Sequence, residues 1–165
     1  MVDPASVLIV VAEVAVALAG FASIVSVFVH PDRAGMEDVD RFRLFALLGA
    51  AFNALLIALF ALGLLSADVS PTTTWRAASA ANIASGVPFL IKGWRDARPL
   101  LAGSQRIMTA TVGYPMIGSC VVVLALQAVN VVVLHSFWPL YCSLGLNILI
   151  ASATFARLLL RRPAA

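Results

Sequence analysis

Four stretches of this chain run for about twenty residues or more with almost no charge. That is the length at which an α-helix, rising 1.5 Å per residue, crosses a hydrocarbon layer of about 30 Å. Glu13 is the only acid inside them, and Asn53 is the one strongly polar residue of the second. Such runs cannot be buried in a soluble domain of this size. The composition agrees: 62% of the 165 residues are hydrophobic and 12% charged, against roughly 45–50% and about 25% in soluble chains. Mean hydropathy is +1.00. A soluble enzyme, a disordered tail and a disulfide-stapled secreted domain are excluded, the last because Cys120 and Cys142 are the only cysteines.

The expected fold is therefore all-α, a polytopic membrane bundle forming one transmembrane domain over residues 1–165. Five transmembrane helices are expected, at about 5–29, 44–65, 75–92, 108–134 and 138–158. The third is the doubtful one, because only Ala77 to Ile91 is free of charge. Two features argue that it spans. Cytoplasmic loops collect Lys and Arg. Five crossings put Arg33, Arg41, Arg43, Lys92, Arg95, Arg98, Arg106, Arg157, Arg161 and Arg162 on one side, and leave Arg76 alone on the other. Without the third crossing the division is eight against three. Trp75 and Trp94 also bracket the segment, about 28 Å apart along a helix, as an interfacial aromatic pair would be. The N-terminus is then outside and the C-terminus cytoplasmic. The first segment lacks the positive n-region of a signal peptide and is read as a retained span.

Small-residue ladders mark the packing faces, since lipid gives helices no hydrophobic reason to associate. They include Ala15/Ala19/Ser23, Ala46/Ala50/Ala54/Ala58 and Ala77/Ala81/Ser85. The third segment, with the most small residues, is expected at the centre of the bundle and bent by Pro88. Residues 36–45 can form a short amphipathic helix with Met36, Val39 and Phe42 on one face.

Glu13 is the most informative residue. A carboxyl within the bilayer must face protein or water rather than lipid, so it is expected to point into the bundle or into an oligomer interface. By the proposed threading Glu13, Asn82, Gln127, Asn130 and Asn147 share a layer about 6–14 Å below the outer surface, while Asn53 enters from the inside and lies near mid-membrane. These amides are either interhelical hydrogen-bonding groups or, with Glu13, an ion- or solute-binding site. No H-E-x-x-H or G-x-S-x-G occurs. No enzyme activity, catalytic residue, metal or cofactor is expected. His30 and His135 fall at opposite faces and read as interfacial caps. Both cysteines read as apolar fillers.

The sequence supports two functions. One is a homo-oligomeric protein of a bacterial inner membrane that moves a cation, proton or small solute past Glu13. The other is a non-catalytic membrane subunit, scaffold or sensor binding a partner protein or lipid. The net charge of +3 points to anionic lipid headgroups at the cytoplasmic face rather than nucleic acid. The charged 30–43 loop offers a docking place for a cytoplasmic partner.

Overall fold

The computed structural model describes residues 3–29, 38–102 and 110–159. These form five α-helices: α1 (Pro4–Val29), α2 (Asp38–Ser66), α3 (Pro71–Ala102), α4 (Ala110–Val129) and α5 (Phe137–Leu159), with a π-helical turn at Asn130–Leu134 continuing α4. The chain is a multi-pass membrane protein in its makeup: α1, α2, α4 with its π-turn and α5 are each long and apolar enough to cross a bilayer. His30, Arg33, Met36, Arg106, Arg161 and Arg162, all used in the charge or loop arguments, lie outside the described residues.

Local chemistry sets the helix ends. Asp3 caps α1 ahead of Pro4, its carboxylate accepting from the Ser6 hydroxyl at 2.7 Å and from the backbone N–H groups of Ser6 and Ala5. The Ser6 hydroxyl first, then those N–H groups, hold the Asp3 carboxyl below its ordinary range. The α2–α3 turn stops one helix and starts the next within four residues. Val69 N–H bonds back to the Leu64 carbonyl and Asp68 N–H to that of Leu65, while Asp68 takes a left-handed φ of 54°. This is the αL stop that closes a helix C-terminus. Ser70 then caps α3 ahead of Pro71, its hydroxyl 3.4 Å from the Thr73 N–H.

Two elements outrun their expected spans. Residues 38–43 are the opening turns of α2, not a separate amphipathic helix. Val39 is buried there against Ala97 of α3, beside Phe42. Asp40 is 1% exposed and accepts from Arg43 at 3.1 Å. α3 continues through both Pro88 and Pro99, and its packing on α2 extends past Pro88 to Ala97.

The centre of the bundle is α2, where the small-residue count had pointed to α3. α2 carries the most extensive packing, against α1, α3 and α5; α3 does touch several neighbours, α2, α4 and α5, and α5 touches all four other helices. The reason is that α2 is apolar on every side and small on several. Leu47, Ala50, Ala51, Ala54, Ala58 and Ala61 are fully buried, and the alanine positions let three neighbours approach at once. Near the α2–α3 turn they meet Leu8, Ala15, Trp75, Ala78, Leu140 and Leu144. Deeper along the axis, Ala50 and Ala51 meet Ala19, Ile150 and Ala151.

Gly49 shows how close α2 and α3 come. A Cβ there would fall on the ring of Phe89. That ring stacks on Phe45 at 5.3 Å, and Lys92, paired with Asp96, sits 4.3 Å above Phe45. Gly49→Ala is expected to displace Phe89 and lower stability by about 1–3 kcal/mol, as overpacking does. Denaturant titration of the protein in mixed micelles checks this, with Gly63→Ala, whose Cβ meets open space, as the control.

Candidate functional site

The expected layer resolves into two separate polar clusters, one isolated acid and one isolated amide, Asn147. The first cluster links three helices. Ser85 Oγ lies 2.6 Å from Asn53 Oδ1, with the Ala81 carbonyl at 3.0 Å as a second acceptor for its single proton. Asn53 Nδ2 donates to Asn82 Oδ1 at 3.1 Å. Asn82 Nδ2 donates to Ser143 Oγ at 2.6 Å. The hydrogen bonds run in one direction, from α3 to α2, back to α3, and on to α5. Asn82 and Ser143 are buried and Asn53 is half-buried. Asn53, which depth counting set apart from the layer, joins it through the reach of its side chain to Asn82.

The second cluster builds the α4–α5 hairpin. The chain turns through His135, at φ 47°, whose N–H bonds to the Asn130 carbonyl at 3.1 Å. Asn130 clasps the turn from within: its Oδ1 accepts from Ser136 N–H at 2.9 Å, and its Nδ2 donates to the Ser136 carbonyl at 3.0 Å and to Ser79 Oγ at 2.8 Å. Gln127 Nε2 donates to the Pro139 carbonyl at 2.7 Å. The last carbonyls of a helix have no N–H ahead of them. The Val131 carbonyl is served instead by Arg76 Nε at 3.1 Å and His135 Nε2 at 3.2 Å. A cation at a helix C-terminus is favourable, so Arg76, the lone exception in the charge count, has a local task. At the start of α5, Phe137 packs against Trp75 and Tyr141.

Glu13 stands apart from both clusters. It is exposed on the flank of α1 opposite the bundle and has no partner among the described residues. Of the two orientations expected for it, the one into this bundle is ruled out. It lies about 13 Å along the axis from Pro4, in the middle of the Pro4–Val25 apolar stretch. A charged residue at the centre of a membrane helix costs about 3 kcal/mol even on lenient insertion scales. Asn147, one turn from Ser143, is half-exposed and makes no hydrogen bond with other described residues. A groove of about 510 Å³ runs between α1 and α5, lined by Val7, Val10, Val14, Gly145 and Ile148, with Ser6 and Tyr141 as its polar groups.

The hydroxyls of Ser79, Ser85 and Ser143 were not anticipated. Serine is also a small packing residue in membrane helices, and nothing in the sequence distinguishes one that receives an amide from one that only fills space. Among the described residues no three His, Cys, Asp or Glu side chains converge as a metal site. Cys120 and Cys142 are free thiols.

Comparison with protein-family models, curated proteins and solved structures gives no match for this chain.

Two outcomes follow from the geometry. A double-mutant cycle with Asn82→Ala and Ser143→Ala is expected to give a coupling of about 0.6 kcal/mol and no more than about 1.7, the range for interhelical hydrogen bonds in membranes. Unfolding in mixed micelles measures it. Asn130→Leu strips the hairpin of its clasp and leaves the Ser136 N–H without that acceptor, at a cost of about 1–3 kcal/mol. The same titration checks it, and protease cleavage at 135–137 is expected to accelerate.

Proposed function

We propose that this chain is a non-catalytic membrane subunit or scaffold that binds another membrane component through the exposed flank of α1. One observation carries the reading: Asn53, Asn82 and Asn130 spend their hydrogen bonds inside the chain, while the only acid of the apolar segments faces outward. A conduit through the bundle would leave its amides open to a passing solute. Here Asn53, Asn82 and Asn130 are bonded to neighbouring helices or to the hairpin. A lipid-facing carboxyl is disfavoured in hydrocarbon, and a protein surface over α1 removes that penalty.

In this reading α3 also crosses the membrane, giving five spans with the N-terminus outside. Lys92, Arg95 and Arg98 on α3 and Arg157 on α5 then lie at the cytoplasmic face, against anionic headgroups. The 30–43 segment, whose residues 38–43 open α2, is the place for a cytoplasmic partner. The excess of Arg over Lys fits a GC-rich bacterial genome, and a bacterial inner membrane is the location proposed with it.

A photoreactive side chain at Ala17 tests the proposal. It is expected to give a discrete adduct in the membranes of expressing cells, whereas one at Leu56, exposed on α2, gives none. Equal labelling at both positions, or none at Ala17, overturns the reading.

A second reading, movement of a proton or cation, is favoured by the unpartnered carboxyl of Glu13. Proton, sodium and potassium flux into liposomes checks it, with Glu13→Gln as the comparison. Flux in the wild type that vanishes in the variant supports it, and flux equal to that of empty liposomes removes it.

A further inference from the structure

Gln127 is fully buried and its amide is only half used. Nε2 donates to the Pro139 carbonyl, which fixes the amide's orientation. Oε1 then has no donor among the described residues. Ser136 Oγ, just ahead of α5, is buried and unpartnered as well. A serine in that place ordinarily accepts from the N–H two or three residues on. The third residue on is Pro139, which has no N–H. Two serines nearby hold the converse, a proton without an acceptor. Ser23, Ser85, Ser119 and Thr154 each donate to the carbonyl four residues back. Ser143 does not: that carbonyl is Pro139's, and Gln127 already donates to it. The Ser143 hydroxyl accepts from Asn82 and donates to no described group. Ser79 Oγ likewise only accepts, from Asn130.

These groups share one place in the fold. Ser79 and Asn82 are a turn apart on α3, and Gln127 and Asn130 a turn apart on α4 and its π-turn. Ser136, Pro139 and Ser143 succeed one another by three and four residues at the head of α5. The bonds Asn130–Ser79, Asn82–Ser143 and Gln127–Pro139 hold the three faces together. We infer that this α3–α4–α5 junction binds ordered water, seated on Gln127 Oε1 and bridging it to the serine hydroxyls. The chemistry of the unspent atoms selects the ligand. An anion takes donors alone, and Gln127 Oε1 repels it. A cation takes acceptors alone, and leaves the protons of Ser79 and Ser143 unspent. Water both gives and receives, and a buried water makes about three such bonds to groups that lack a partner. One running from the Ser143 hydroxyl to Gln127 Oε1 completes a line of hydrogen bonds. The line leads from Ser85 through Asn53, Asn82 and Ser143 to Gln127 and the Pro139 carbonyl. The two polar clusters become one, and α4 is tied through the water to the network of α2, α3 and α5.

Isotope-edited infrared spectroscopy of the full chain in lipid nanodiscs tests this. The protein carries glutamine labelled at the side-chain carbonyl, and subtracting the Gln127→Met spectrum isolates the Gln127 band. That band is expected at the lower frequency of a hydrogen-bonded amide. It is expected to stay there in Ser79→Ala, Ser136→Ala and Ser143→Ala, each of which removes one hydroxyl. A band at the unbonded frequency in the wild type overturns the proposal. So does a band that moves up in one serine variant, since that hydroxyl is then the direct donor. Rotating-frame Overhauser spectra supply the identity of the ligand. A cross-peak between water and the Gln127 Nε2 protons is expected in the wild type and in all three serine variants. A low infrared band without that cross-peak overturns the assignment to water. The wild-type spectra carry the test even where a variant fails to fold.

Discussion

Inside a bilayer there is no water to accept a stray hydrogen bond, so each polar group in an apolar helix must find its partner in protein. That constraint organises this molecule. Asn53, Asn82, Ser85 and Ser143 satisfy one another across three helices. Asn130 is consumed by the backbone and side chains of one turn. Arg76 reaches a carbonyl that the end of a helix leaves open. Glu13 and Asn147 are left over among the described residues, and the functional reading starts from the acid.

The alanine-rich middle of α2 makes the polar pairing possible. Side chains as short as Asn and Ser bridge helices only when the backbones are close. Buried Ala50, Ala54 and Ala58 bring α1, α3 and α5 to that distance. Packing and hydrogen bonding are thus the same design viewed at two scales. Large side chains on α2 would separate Asn53 from Asn82 as surely as replacing either amide.

Much of the architecture was legible from the sequence. Long uncharged runs dictate helices, and small residues at fourfold spacing mark their contacts, as Ala50, Ala54 and Ala58 bear out. The third helix, expected from Trp75, starts earlier, at Pro71 behind the Ser70 cap. What could not be read was which helix sits in the middle. Ladders of small residues occur on three segments, and a one-dimensional pattern does not rank them. α2 holds that place because its other faces are apolar as well. Depth counting brought Asn82, Gln127 and Asn130 to one level, yet it could not say which way each side chain turns. Level is set by the rise per residue. Partnership is set by rotation about the helix axis, which small errors in the start of a helix scramble. Asn53 and Glu13 illustrate the two sides of this: one looked too deep to join the amides but reaches them, and the other looked level with them but faces away.

The position of Ser143 bears on how the protein is made. Ribosomal synthesis delivers α1, α2 and α3 to the membrane well before α5. Until that last helix docks beside α2, the amide of Asn82 has donated nothing to Ser143, and the half-built bundle carries an open polar seam in lipid. The polar pairing of the bundle is therefore complete only after the last helix has been delivered.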